Sequence, residues 1–329
     1  MELIKTKFLM WTDIEIILNN DSKNKQELEY DIEKAFDIFS KFEKEFSRFD
    51  EKSGLSKLNK NRTLQVSDNF IEVLKLSKEI YKITNWYFNP LVNVSSIWYN
   101  KSFEKICLSQ PFPPREKGES RFKSTNIFFL YKNFIDKFSP IPEEEKKGKL
   151  NLEQIQIIWN KVILNKDQNF DLGWIVKWWT ADKVKDFLKN KWYKDFIVNA
   201  GWDIVVWEVK STIAINSPFN KEDIFALLDL QNCSISTSGT YKRKWEINWK
   251  KFNHILNPKN NKNNNEIVSI SIIWEKCYIT DSLATACIAM WFNKAKNFLE
   301  KKNCEAIIIL ENWEYEIVWD LKKYNFEKI

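Results

Sequence analysis

Residues 171–184 read DLGWIVKWWTADKV, and the fold turns on how this stretch is understood. Asp171 and Gly173 open a tight turn, and the ADKV run after it has helical character. A turn that admits a glycine needs positive φ or a close backbone approach, and its neighbour usually shares that need. Here the neighbour is Trp174, the largest side chain available. The pattern recurs at Gly201-Trp202-Asp203 within VNAGWDIVVWEVK (198–210). Both stretches set a tryptophan at a strand-to-turn junction where a small residue is expected.

The composition carries the same anomaly. The chain has 6 glycines and 16 tryptophans, whereas average usage of about 7% would give roughly 23 glycines. The tryptophans fall at punctuation points. Trp86, in TNWYFNP, follows a helical segment where a glycine at C′ is favoured. Trp249 in EINWKKF, Trp159 in IIWNKVIL and Trp313 in LENWEYEIV sit at hairpin tips, where glycine beside Asn makes a two-residue turn. By this test Trp11, Trp86, Trp98, Trp159, Trp174, Trp178, Trp192, Trp202, Trp207, Trp249, Trp274, Trp291, Trp313 and Trp319 read as glycines. The expectation is a gene whose UGA codons mean glycine in its own cell and were read as tryptophan. Trp179 and Trp245 lie on amphipathic segments and read as genuine tryptophans.

A chain of 329 residues is long enough for one large domain or two smaller ones. Its net charge of +6 is spread among interleaved acids, without the basic stripe and aromatics of a nucleic-acid surface. No apolar run is long enough to span a membrane. MELIKTKFLMWTDIEIIL lacks the parts of a secretory signal, and no cysteine precedes Cys107 to carry a lipid, so the expected location is the cytoplasm. Cys107, Cys233, Cys277, Cys287 and Cys304 form no CxxC pair and read as reduced, buried thiols.

Hydrophobic periodicity predicts strands over 4–18, 155–165, 195–209, 243–256 and 267–273. Helices are expected over 25–47, over 68–83 after an Asp68 cap, over 221–229 and over 281–300. A strand–turn–helix is expected at 168–190 and a terminal hairpin at 305–319. Residues 100–151, with five prolines and weak periodicity, read as an irregular insertion, and 259–266 as a solvated loop. The pattern is α+β.

With glycine restored, the opening stretch becomes DLGGIVKGWTADKV. In that form the chain resembles the FAD:protein FMN transferases, the ApbE family, from about Met10 to the C-terminal hairpin. The resemblance implies a single family domain over 1–329, related to the T-fold, with mixed and antiparallel sheet layers flanked by helices. It also implies FAD as substrate and Mg²⁺ as cofactor.

The resemblance is carried by motifs in order. FLMWTDIEI is similar to the family's Met-Gly-Thr strand and implies a flavin contact at Met10. FSRFDEKSGLSKLN places Phe49 at an aromatic position that packs on the cofactor. YFNPLV implies further FAD contacts at Tyr87, Phe88 and Asn89; taken alone, these three stretches read as ordinary core and turn packing. In DLGWIVKW, Asp171 and Lys177 match cofactor contacts, and position 174 matches one whose carbonyl binds the metal. A glycine-rich turn opening a helix suits a diphosphate, because the helix N-terminus favours negative charge.

TDSLAT sets Asp281 and Thr285 four residues apart, on one helix face. Both are hard oxygen donors of the kind Mg²⁺ takes alongside phosphate oxygens and water, and the family holds its metal at these two positions. Alone, the pair reads better as an Asp N-cap followed by a small core-facing Thr. FNHILNPK holds the chain's 1 histidine, which by itself reads as a loop or core residue. The resemblance makes His254 the candidate proton acceptor and Leu256 an FAD contact. Asn257 and Asn89 stand where the family usually has Asp, Gly54 where it has Glu, and Asn260-Asn261 where it has Thr-Gly. The two substituted amides keep hydrogen-bonding capacity and lose charge.

The implied reaction moves the FMN half of FAD onto a threonine hydroxyl of an acceptor protein and releases AMP. Two alternatives stand beside it: hydrolysis of FAD to FMN and AMP, and a flavin-binding module without turnover.

Overall fold

The computed structural model describes residues 1–91, 151–220, 222–241, 244–247, 250–260 and 262–329. The expected insertion over 100–151 therefore lies outside the described residues apart from its last position. The chain opens with strands β1 (Glu2–Leu9) and β2 (Thr12–Asn19), a hairpin where one strand over 4–18 was expected. The break falls at Met10-Trp11, the two-residue turn joining Leu9 to its partner Thr12.

Helix α1 (Lys25–Phe46) starts in a capping box between Asn24 and Glu27, and it buries Leu28, Ile32, Ala35, Phe36, Phe39, Phe42 and Phe46. That spacing gives one apolar stripe along 22 residues, which is what fixes the helix on the sheet. Helix α2 (Gly54–Asn61), capped by Ser53, leads to β3 (Thr63–Gln65), and α3 (Asp68–Ile83) is capped by Ser67. The expected Asp68 cap is thus displaced by one residue. Past the undescribed segment come β4 (Gln156–Ile158) and β5 (Lys161–Ile163), a second hairpin that divides the strand expected over 155–165 and has Trp159 at its tip, as read from the sequence.

Helix α4 (Gly173–Asn190) is followed by the hairpin β6 (Asp195–Ala200) and β7 (Asp203–Glu208), then by β8 (Ser211–Asn216), β9 (Ile224–Leu230) and β10 (Cys233–Gly239). The helix expected over 221–229 is strand β9. In IFALLDL the burial of Ala226, Leu228 and Leu230 follows a period of two, and a window this short fits both periods until a partner strand decides. A short hairpin, β11 (Lys244–Ile247) and β12 (Lys250–Asn253), precedes β13 (Ile267–Trp274). The helix expected over 281–300 is two: α5 (Cys277–Ala289) and α6 (Phe292–Lys301), separated where Met290 and Trp291 turn extended. Strands β14 (Glu305–Leu310) and β15 (Tyr315–Val318) form the expected terminal hairpin, and β16 (Glu327–Lys328) ends the chain.

The described strands assemble an eight-stranded sheet in the order β1-β2-β6-β7-β10-β13-β14-β15, every pair antiparallel. One face carries the helices, with Ile14, Ile16, Phe196 and Val198 against α1 and α4, and Ile270, Ile272 and Ile308 against α5. The other face carries the three-stranded sheet β16-β9-β8, where Val206, Ile235, Ile273 and Ile307 meet Ile213, Ala226 and Leu228. Strand β13 is buried on both faces for this reason. The outer strand β1 is held only by β2, and its Lys5 and Lys7 both reach Glu33 of α1. The architecture is the α+β class expected.

Candidate active site

The site is built at the N-terminal end of α4, where the sheet hairpin β6–β7 and helix α5 converge on it. Asp171 is drawn into place by three contacts. Its N–H donates to Pro90 O (2.8 Å), its Oδ1 accepts from Gly173 N–H (3.2 Å), and Arg48 Nη1 lies 2.8 Å from its Oδ2. Leu172 at the N-cap supplies no side-chain acceptor and the first turn of α4 carries no acid. Such a helix start presents N–H groups and a positive dipole end to an anion.

Within the second turn, Lys177 Nζ lies 2.8 Å from Asp203 Oδ2, with Asp203 almost fully buried at the start of β7. Burial pushes the Asp203 carboxyl up from the ordinary carboxylate range, and the Lys177 ammonium works against that rise. Its Oδ1 has no hydrogen-bond partner among the described residues.

Helix α5 presents Asp281, 4% exposed, to the same spot. Ser238 of β10 donates to Asp281 Oδ1 at 3.3 Å, Thr285 Oγ1 donates to its Oδ2 at 3.2 Å, and the two hydroxyls are 3.1 Å apart. Burial is the main cause that sets the Asp281 carboxyl well above the usual range; the Asp203 carboxylate adds to it and Lys177 opposes it. The result is a hard-oxygen donor set of one carboxyl and two hydroxyls beside a second buried carboxylate, which suits a small divalent cation. Among the described residues no group of three or more His, Cys, Asp or Glu side chains could hold a metal ion, this corner included, so the donor set here rests on hydroxyls as well as carboxyls.

His254, 9% exposed, follows β12 in a loop and stacks on Trp174, ring centroids 5.6 Å apart and 24° from parallel. Trp178, fully buried, donates its indole N–H to Asp203. Trp179 points the other way, into the core, with its ring 4.6 Å from that of Phe42 and its N–H 2.9 Å from Glu72 Oε1.

The structure thus pairs Trp174 with His254, Lys177 with Asp203, and Thr285 with Asp281, whose carboxyl also feels Asp203 and Lys177; Asp171 stands at the start of the same helix, held by Arg48. Phe49, 41% exposed, belongs to the rim: Arg48 lies 4.6 Å over its ring, Trp11 packs edge-on against it at 5.1 Å, and the two aromatics line a surface cleft with Phe8, Glu43 and Ser47. Met10, at the β1–β2 turn, packs beneath and donates its N–H to Glu43 Oε1 (3.0 Å). Tyr87 and Phe88 are buried, with Lys259 and Lys294 over the Tyr87 ring at 4.4 and 4.9 Å. Asn89 caps its own turn by accepting from Leu91 N–H, and Asn257 does the same for Lys259 N–H. Leu256 is half-buried in the loop after His254. Sequence reasoning missed Asp203, Ser238 and Arg48. Asp203 had a signal, an acid directly after a second glycine–tryptophan pair; Ser238 and Arg48 had none.

The ApbE family model matches residues 10–308. A FAD:protein FMN transferase of Buchnera aphidicola subsp. Schizaphis graminum is 24% identical over 265 residues, 78% of this chain and 71% of that protein. One from Klebsiella pneumoniae is 28% identical over 148 residues, 43% of this chain and 46% of that protein. The crystal structure of the ApbE protein of Thermotoga maritima covers 98% of this chain, and 99% of its own, at TM-score 0.76 and 18% identity. The flavin transferase ApbE from Vibrio cholerae gives 0.73 at 17% identity, with 98% and 99% covered. With the family model spanning all but the two ends, and the same fold in these structures, the chain belongs to the ApbE family.

Proposed function

We propose that the protein is a transferase that moves the FMN moiety of FAD onto a threonine side chain of an acceptor protein. The observation that carries this reading is the meeting of Lys177, Asp203, Asp281 and Thr285 near the start of α4, whose N-cap residue Leu172 offers no side-chain acceptor. A phosphoryl transfer needs little covalent help from the protein and much positioning and charge neutralisation. That corner offers both.

In this reading the N–H groups at the start of α4 and the ammonium of Lys177 take the diphosphate of FAD. Asp203 holds Lys177 in place from behind. The residues that would hold Mg²⁺ are Asp281 and Thr285, together with the main-chain carbonyl of residue 174; bound there, the ion would offset negative charge on the phosphates. The buried Asp203 oxygen without a hydrogen-bond partner among the described residues, and the all-oxygen character of the set, support the fit. Met10 and Phe49 lie on the flavin side of the cleft. The acceptor hydroxyl attacks the phosphorus next to riboflavin, the P–O bond to the AMP phosphate breaks, and AMP leaves. His254 takes the hydroxyl proton.

The test is incubation with FAD, Mg²⁺ and a threonine-bearing acceptor, followed by denaturing electrophoresis read for flavin fluorescence. Covalent flavin on the acceptor, with one AMP per flavin attached, is the expected result. AMP release at full rate without acceptor would overturn transfer in favour of hydrolysis. FAD recovered intact would overturn turnover altogether.

A further inference from the structure

We infer that fourteen of the tryptophan positions carry glycine in the protein as its own cell makes it, and that of the sixteen only Trp179 and Trp245 are genuine. The backbone carries the argument. Trp11, Trp86, Trp159, Trp192, Trp202, Trp313 and Trp319 all lie at positive φ, between 54° and 87°. For a bulky side chain that region is an outlier at a single site, and here it recurs seven times. Of the described glycines, Gly54, Gly173, Gly201 and Gly239, only Gly201 is left-handed. The conformations that glycine exists to supply are held by tryptophan.

Three of these positions have a specific mechanical demand. Met10 and Trp11, at φ 51° and 63°, join Leu9 to Thr12 in a two-residue hairpin turn with both central residues left-handed, the geometry for which Asn-Gly and Gly-Gly are preferred. Trp192 is the C′ residue of α4: its N–H donates to Lys189 O, and Tyr193 N–H reaches Leu188 O. That double bond closes the helix end where glycine is the usual residue. Gly201 and Trp202 are left-handed in succession at the β6–β7 turn, and a Cβ on Gly201 would stand 1.9 Å from Thr12 Oγ1.

Packing points the same way. All seven indoles are exposed, Trp159 by 91% and Trp192 by 85%. Trp179 is the opposite of these seven: helical, buried among Phe42 and Phe46, with its N–H satisfied by Glu72. Two further positions rest on the proposed function. Trp174 covers the ring of His254, and Trp178 places its indole on Asp203 beside Lys177. Those are the groups that FAD and the acceptor must reach. Glycine at both would uncover the His254 ring and free Asp203 of the indole, although at 178 it also removes a buried, hydrogen-bonded ring from the core, so that position rests on the function and not on packing. A single cause, one codon read two ways, extends the assignment to Trp207, Trp274 and Trp291, and to Trp98 and Trp249 outside the described residues.

The gene gives the first test. TGA at the fourteen positions and TGG at 179 and 245 is the expected pattern, and TGG at any of the seven left-handed positions overturns the inference. The protein gives the second. Two full-length chains, one as printed and one with glycine at the fourteen positions, are compared by thermal midpoint and by FAD affinity. The glycine form should melt at least about 10 °C higher, since each relieved site is worth a few degrees in a chain of this size, and bind FAD at least tenfold more tightly. Trp179→Gly serves as control and should lower the midpoint. A glycine form that melts no higher than the printed one overturns the inference. A higher midpoint without FAD binding supports glycine and overturns the proposed function instead.

Discussion

Lys177 Nζ lies 2.8 Å from Asp203 Oδ2, and the ion pair is buried between the second turn of α4 and the first residue of β7. A buried pair of this kind adds little net stability because both groups are desolvated, yet it is costly to break, because the surviving partner is left charged and unsolvated. Lys177→Met should therefore lower stability by about 3–5 kcal/mol in urea titration and abolish FAD binding. The double variant Lys177→Met, Asp203→Leu should recover most of the stability and none of the binding. Recovery of both would show that Lys177 does not contact FAD.

Asp281→Asn keeps the shape of the carboxyl and one acceptor oxygen for Ser238 or Thr285, while its amide N–H donates to the other hydroxyl, and Thr285→Val keeps the volume of the threonine. Each should leave the thermal midpoint within a few degrees of the parent while removing Mg²⁺-dependent transfer. The measurement is AMP release against Mg²⁺ concentration. Parental metal dependence in either variant would remove that side chain from the metal site.

His254→Ala should slow transfer by roughly 10²-fold or more, the range of a positioned general base, with FAD affinity changed far less. Single-turnover rates and equilibrium titration separate the two quantities. An unaltered rate at saturating FAD would return His254 to a packing role.

Asp31, buried on α1, receives Lys23 Nζ at 3.0 Å, Tyr193 Oη at 2.9 Å and Lys191 Nζ at 3.2 Å. Burial pushes its carboxyl up, but these three partners together hold it below the ordinary value. A carboxyl depressed in the folded state stabilises the protein above the unfolded-state pKa of about 3.9, and that contribution is lost as pH falls through the folded-state value. Asp31→Asn should cost about 1–3 kcal/mol at neutral pH. It should also flatten the loss of stability on acidification, read from urea midpoints between pH 6 and pH 3.

The sequence disclosed the long elements because their periods are unambiguous: α1 and α3 carry helical stripes, and β13 is apolar on both faces. Its periodicity blurred strand pairs into single strands at 4–18, 155–165 and 195–209, because apolar alternation runs on through so short a break, although Trp159 and Trp202 had already marked turns inside two of them. β9 was misread because a seven-residue apolar window fits a helix as well as a strand until β8 pairs with it. In the site, Asp281, Thr285, Lys177 and His254 were legible as motif residues. Ser238 and Arg48 were not, because each earns its place through a partner distant in sequence, 43 residues away for Ser238–Asp281 and 123 for Arg48–Asp171.

The outer position of β1 has a consequence for how copies of this protein behave in a crowded solution. An unpaired sheet margin is a template on which another chain can add a strand. Two molecules that paired β1 with β1 in an antiparallel register centred on this stretch would bring Lys5 and Lys7 of one against Lys5 and Lys7 of the other. Like charges directly opposite on adjoining strands are destabilising. The two lysines that brace β1 on α1 thus also work as a guard against self-association, partly offset by Glu33 and weakened by high salt.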